Sequence, residues 1–234
     1  MKVEFKSKNI TSLTDWKEKV FVGKKDKHWA VGRSAYSLAD FVMNKNGFKK
    51  INEYVDAVIG TKAIFEKAEP EYQVRFDRYG QGREHDLVLW GKTKEGKSLF
   101  VSVEAKVDES FNATVLDAYI KAKARELNGE RTNAPNRIER LLQQHIPKIS
   151  KSDFNLRYQL FYATSGTLCV EADIHVLLIL VFKTDSYKKD MGKLNKSDFE
   201  NFVKRIDAVE IENDIYKATI QNQELNIVYK EIEY

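Results

Sequence analysis

The fold class that this sequence predicts is α/β, with a mixed central β-sheet flanked by helices. Three observations carry that prediction. Residues 84 to 90 and 98 to 106 read as two strands, and residues 91 to 97 between them hold the glycines and lysines of a hairpin turn. Apolar residues at helical spacing lie on both sides of that hairpin in the sequence. Residues 175 to 182 form a near-continuous apolar run, the pattern of a strand covered on both faces. The resulting order is helix, three strands, helices, strand, short helix, strand. Such an order predicts an antiparallel meander at one side and parallel strands reached by helical crossovers.

The elements follow in turn. Residues 1 to 33 read as an irregular N-terminal extension, with His28-Trp29 packing it. Ser34 suits the N-cap of a helix to residue 44, with Ala35, Leu38, Ala39, Val42 and Met43 at helical spacing. A second helix is expected over 49 to 67, faced by Ile51, Val55, Val58 and Ile59, with Pro70 as a boundary. Residues 72 to 76 alternate as a strand ahead of the hairpin. Val115, Leu116, Tyr119, Ile120 and Leu127 fit a helix over 112 to 127, ended near Gly129. Asn136 and Glu139 resemble a capping box for the next helix. Residues 158 to 163 read as a strand, 164 to 173 as a turn and short helix, 197 to 206 as a helix, and 215 to 229 as further strand. The organisation expected is one domain over 1–234: an extension to 33, a core over 34–182, and a C-terminal helix and strand over 183–234.

Composition narrows the function classes. An apolar fraction of 42% and a charged fraction of 32% are ordinary for a soluble globular protein. One cysteine, Cys169, excludes an intramolecular disulfide and a cysteine-based zinc site, and it reads as a small buried side chain. His28, His85, His145 and His175 show no zinc-ligand spacing. The apolar run at 176 to 182 is too short for a membrane-spanning helix, which needs roughly 20 residues. The N-terminus carries no apolar signal region, so the expected setting is a reducing cytoplasm without a membrane partner. A net charge of +4 permits a phosphate-backbone partner without demanding one.

The hairpin holds the chemistry. On the second of its strands Phe100, Ser102, Glu104 and Lys106 share a face. A three-residue turn around Glu95 sets Asp86 opposite Glu104, whereas a two- or four-residue turn sets it opposite Ala105. Opposed carboxylates in a sheet repel unless something compensates them. Mg²⁺ would do so, since it takes hard oxygen ligands and keeps several waters. Lys106 could then orient water or stabilise charge on a phosphate. The same residues also fit a solvated strand end with no chemistry.

Asp86 followed by Glu104-Ala105-Lys106 on the next strand, after one helix and before another, resembles the PD-(D/E)XK nuclease superfamily over residues 35 to 182. The resemblance implies a restriction-endonuclease-like core in the order αβββαβ. It implies a Mg²⁺-dependent nuclease, with Mn²⁺ able to substitute, that hydrolyses phosphodiester bonds, DNA before RNA. Asp86, Glu104 and the Ala105 carbonyl would be metal ligands, Lys106 the catalytic lysine, and Glu53 an added acid from the first helices. His85 stands where the superfamily's motif has proline. The superfamily also contains catalytically inactive members, so a binding or assembly module is the alternative. A bacterial defence or repair role follows from the resemblance alone, and a homodimer is left open.

Other signals are weaker. Glu109 reads as capping the following helix, with Ser110 or Asn112 as its N-cap, though it lies close enough to approach a metal. Gly80-Gln81-Gly82 reads as a flexible turn that borders the site. Thr164-Ser165-Gly166-Thr167 reads as a tight strand–helix turn or a phosphate cradle. Gln159 beside it could polarise substrate, and His85 should point away from the face of Asp86. Lys121, Lys123, Arg125, Arg131, Arg137 and Arg140 fit either a phosphate-tracking groove or a solvated helix face.

Overall fold

A computed structural model of the chain describes residues 1–23 and 28–234. The strands are β1 (Lys2–Phe5), β2 (Lys8–Asn9), β3 (Ala63–Val74), β4 (Arg83–Thr93), β5 (Ser98–Lys106), β6 (Ile174–Lys183), β7 (Val209–Glu212), β8 (Ile215–Ile220) and β9 (Gln223–Glu233). The helices are α1 (Leu13–Val20), α2 (Ser34–Asn44), α3 (Gly47–Ile59), α4 (Val115–Leu127), α5 (Ala134–His145), α6 (Tyr158–Leu168) and α7 (Lys189–Arg205).

All the described strands join one nine-stranded sheet in the order β2-β1-β3-β4-β5-β6-β9-β8-β7. β3, β4 and β5 form an antiparallel meander, β6 runs parallel to β5 and to β9, and β7–β9 return antiparallel. The sheet is therefore mixed, with helices on both faces.

β6 explains why two helical layers are needed. Val176, Leu178, Leu180 and Phe182 enter the core shared with α1, α2 and α3. Leu177, Ile179 and Val181 enter the opposite core, shared with α4 to α7. A strand with no polar face must be covered twice, so the continuous apolar run dictates the sandwich.

The turn between β4 and β5 is the three-residue kind. Thr93 N–H donates to the Lys97 carbonyl (2.8 Å) and Gly96 N–H to that of Thr93 (2.9 Å), with Gly96 at φ +86. A glycine in the left-handed region closes such loops at no steric cost. The resulting pairs run from Lys92↔Ser98 to Leu87↔Val103. Extended by one position, this register sets Asp86 across from Glu104, just beyond the last paired residues.

Several expectations are corrected. The N-terminal segment is not irregular: β1 pairs β3 and α1 buries Trp16 and Val20, while residues 24–27 of that segment lie outside the described residues. Trp29 does pack there, its ring centroid 5.0 Å from that of Phe21 and 5.5 Å from that of Tyr36. α3 stops at Ile59 because Gly60 takes φ +70, and the last residues expected in the helix pair with β4 instead. Pro70 lies inside β3, not at a boundary. It is tolerated because β1 pairs β3 only at Lys67 and Ala68, which leaves the backbone edge at Pro70 without a ladder partner there. Residues 158 to 163 are helix, not strand, and α6 continues through the expected turn to Leu168. The apolar run there satisfies packing on most sides of a helix as well as it would a buried strand, and period alone does not separate the two. Cys169 ends α6 at the surface rather than in the core.

Leu178 lies on the central strand with no exposure. Leu178→Ala is expected to cost about 3 kcal/mol. Urea unfolding with an unchanged denaturant slope would measure it, and a cost below about 1 kcal/mol would contradict a two-sided core at β6.

Candidate active site

The site forms where β4 and β5 part. Their ladder ends at Leu87↔Val103. One residue further, the Ala105 N–H donates to Asp86 Oδ2 at 2.7 Å. The Asp86 carboxylate thus stands in for a ladder acceptor at the mouth of the hairpin. On β3, Glu71 is held at φ +48 between the residues paired with Leu87 and His85, so both strands are distorted at this level.

The distortion redirects β4. Leu87 faces the α1–α3 core. Strict alternation would send His85 and Arg83 the same way. Both instead lie against α6: a Cβ on Gly166 would come within 2.7 Å of His85 Nε2 and 3.1 Å of Arg83 Cβ. His85 is therefore on the Glu104 side of the sheet, contrary to expectation. Burial and the Arg83 charge push it down to about 3, which keeps the ring neutral.

Glu104 is 2% exposed and is held by three side chains. Lys106 Nζ lies 2.8 Å from Oε1, Gln159 Nε2 donates to the same oxygen, and Arg83 donates to Oε2. Glu104 and Lys106 share a face as strand alternation requires. Gln159 reaches them because it lies in the first turn of α6, which crosses β5, where Ser102 Oγ and Thr167 Oγ1 are 2.6 Å apart. Although burial opposes it, the Arg83 and Lys106 charges hold Glu104 below its ordinary range. Asp86 moves the other way: burial and then the Glu104 charge raise it well above 3.8. Burial disfavours the Lys106 cation, yet Glu104 and Asp86 raise it above its ordinary value, so it stays protonated.

Among the described residues, no group of three His, Cys, Asp or Glu side chains is arranged as a metal cage. A hard cation such as Mg²⁺ needs less than that, since it usually binds through one or two carboxylates and keeps its waters. Burial and then the Glu104 charge raise the Asp86 carboxyl, a direction that a bound cation would reverse. Asp86, Glu104 and the Ala105 carbonyl fit that role chemically.

Other expected site residues fall elsewhere. Glu53 is exposed on α3, and its charge acts on Tyr54 and Lys62, at the other end of the sheet from Asp86. Glu109 accepts from the Val107 and Asp108 N–H groups (3.3 and 3.1 Å), so it closes the turn after β5, while Thr114 caps α4. Thr164 to Thr167 lie inside α6 and cannot cradle a phosphate; Thr164 and Thr167 bond back to carbonyls of their own helix. In the basic cluster Lys123 pairs with Glu126, Arg125 with Glu130 and Arg137 with Asp77, which spends much of its charge. Arg137 also bonds the Gln81 carbonyl and so pins the Gly-x-Gly loop that leads into β4. Arg83 was not among the expected site residues, because the sequence reads it in the turn ahead of a strand starting at residue 84, whereas β4 begins at Arg83 itself.

A family model described as a domain of unknown function (DUF6946) matches residues 9–234. The chain belongs to that family. No curated protein and no solved structure matches this DUF6946 chain. No described helix is long and apolar enough to cross a membrane.

The raised carboxyl of Asp86 has a pH signature in this DUF6946 protein. A carboxyl whose folded pKa lies above its unfolded value costs stability as pH rises past about 3.8, the ordinary value. Asp86→Asn keeps an acceptor for Ala105 N–H and removes the charge. In EDTA at neutral pH it is expected to melt higher than the parent, by about 2–4 °C per kcal/mol relieved, with the gain vanishing below about pH 4. Thermal melts across that range check this, and a lower melting point at neutral pH would overturn the charge assignment.

Proposed function

We propose that this protein is a Mg²⁺-dependent nuclease with a PD-(D/E)XK-like core, acting on DNA phosphodiesters by in-line attack of water. The observation that carries the reading is the meeting of Asp86, Glu104 and Lys106 at one strand end, with Asp86 on the Ala105 N–H and Lys106 on Glu104. The element order supports it: α3, then β3, β4 and β5, then α4 to α6, then β6 parallel to β5.

Asp86, Glu104 and the Ala105 carbonyl would hold the cation. Mg²⁺, or Mn²⁺ in its place, supplies Lewis acidity to the phosphodiester and acidifies water. The remaining work falls to the chain's own groups. Lys106 is a cation, so it stabilises negative charge developing on the phosphate instead of removing a proton. Gln159 Nε2 fixes the rotamer of Glu104 from α6. Phe111, whose ring lies 5.5 Å from Lys106 Nζ, shields the ammonium from water.

One observation favours a second reading. Glu104 already has Arg83, Gln159 and Lys106 as partners, which is enough to satisfy it as a structural residue of an inactive binding or assembly module.

The test uses plasmid, linear and single-stranded DNA, and RNA, with Mg²⁺ or Mn²⁺. The parent is expected to cleave DNA, and Glu104→Ala and Lys106→Ala to lose about 10²-fold or more. Equal rates in all three proteins would overturn the site. No cleavage by the parent in either metal would favour the module.

A further inference from the structure

Arg83 is 9% exposed, and its guanidinium is under-used. Glu104 receives three donors on two oxygens, from Lys106, Gln159 and Arg83. Arg83, by contrast, has a buried Nε–H with no acceptor. Its fork is built for bidentate capture of an anion, yet on Glu104 it reaches Oε2 while Oε1 serves the other two donors.

The stem of Arg83 is fixed. Its guanidinium lies over the Tyr162 ring at 5.1 Å, and the absent side chain of Gly166 leaves room for its Cβ and Cγ, each 3.1 Å from where a Cβ would stand. Releasing Glu104 costs little order on either side. Lys106 and Gln159 still hold the carboxylate, and Tyr162 still supports the guanidinium.

Resting on the nuclease reading above, we infer that Arg83 is an anion-binding residue parked on Glu104. When Glu104 turns to a divalent cation, the freed guanidinium takes a non-bridging oxygen of the substrate phosphodiester. Cation and substrate are then coupled, because each favours the arrangement in which Arg83 has left Glu104. Arg83 and the cation compete for one carboxylate, so removing Arg83 strengthens one binding event and weakens the other.

The experiment measures Ca²⁺ binding to the full chain by calorimetry. It also measures binding of a short labelled oligonucleotide, single-stranded and duplex, in Ca²⁺ and in EDTA. In the parent, Ca²⁺ is expected to tighten oligonucleotide binding about tenfold. Arg83→Gln is expected to bind Ca²⁺ more tightly than the parent and to lose that gain. A merely structural role would weaken both. Arg83→Lys keeps a buried cation should the glutamine variant not fold. It is expected to hold Ca²⁺ affinity within about threefold and to lose most of the gain, since lysine lacks the fork. A full gain in either folded variant, or weaker Ca²⁺ binding in Arg83→Gln, would overturn the role of Arg83 alone. A parent protein that binds neither Ca²⁺ nor Mg²⁺ would overturn the nuclease reading and this inference with it.

Discussion

The hydrogen-bond ladder between β4 and β5 ends at Leu87↔Val103, one residue before Asp86 and Glu104. Everything at the site follows from where that ladder stops. Had it continued, the Ala105 N–H would have a backbone partner and Asp86 would have no reason to lie between the strands. Buried backbone donors must be paired, so the parting of the strands obliges a side chain to substitute. An aspartate at that point meets the obligation and brings a carboxylate beside Glu104. The same distortion turns Arg83 and His85 toward α6, which completes the surroundings of Glu104.

Burying these charges is costly, and the arrangement shows how the cost is met. Glu104 is nearly inaccessible, and a lone carboxylate there would be driven to its neutral form. Arg83 and Lys106 prevent that, and Gln159 adds a neutral donor. Asp86 receives less help, and its carboxyl rises accordingly. The two carboxyls are coupled, so holding Glu104 ionised raises the cost of ionising Asp86 beside it. Removing Arg83 or Lys106 alone would leave buried charge uncompensated, and such losses exceed the worth of the pair itself.

The hairpin and its charged end were legible because they depend on local rules. Alternation ties Lys106 to Glu104, but the sequence left the turn length open, and the three-residue turn closed at Gly96 is what sets the register. β6 was legible for the same reason: an unbroken apolar run states that both faces are covered. Residues 158 to 163 were not, because a short apolar segment fits a buried helix or strand equally well. The N-terminal strands were missed because β1 and β2 are too short to show a period, and they form only by pairing with β3 and with each other.

The sequence by itself determined the α/β class, the strand pair carrying Asp86 and Glu104, and the shared face of Glu104 and Lys106. These rest on contacts between residues close in the chain, whose geometry a turn and an alternation suffice to set. Tertiary structure decided that α6 is a helix laid across β5, that Gln159 reaches Glu104, and that Arg83 joins them. Those contacts link residues far apart in the chain and depend on a break in strand geometry. Regular periodicity cannot announce such a break, because it is the departure from that periodicity.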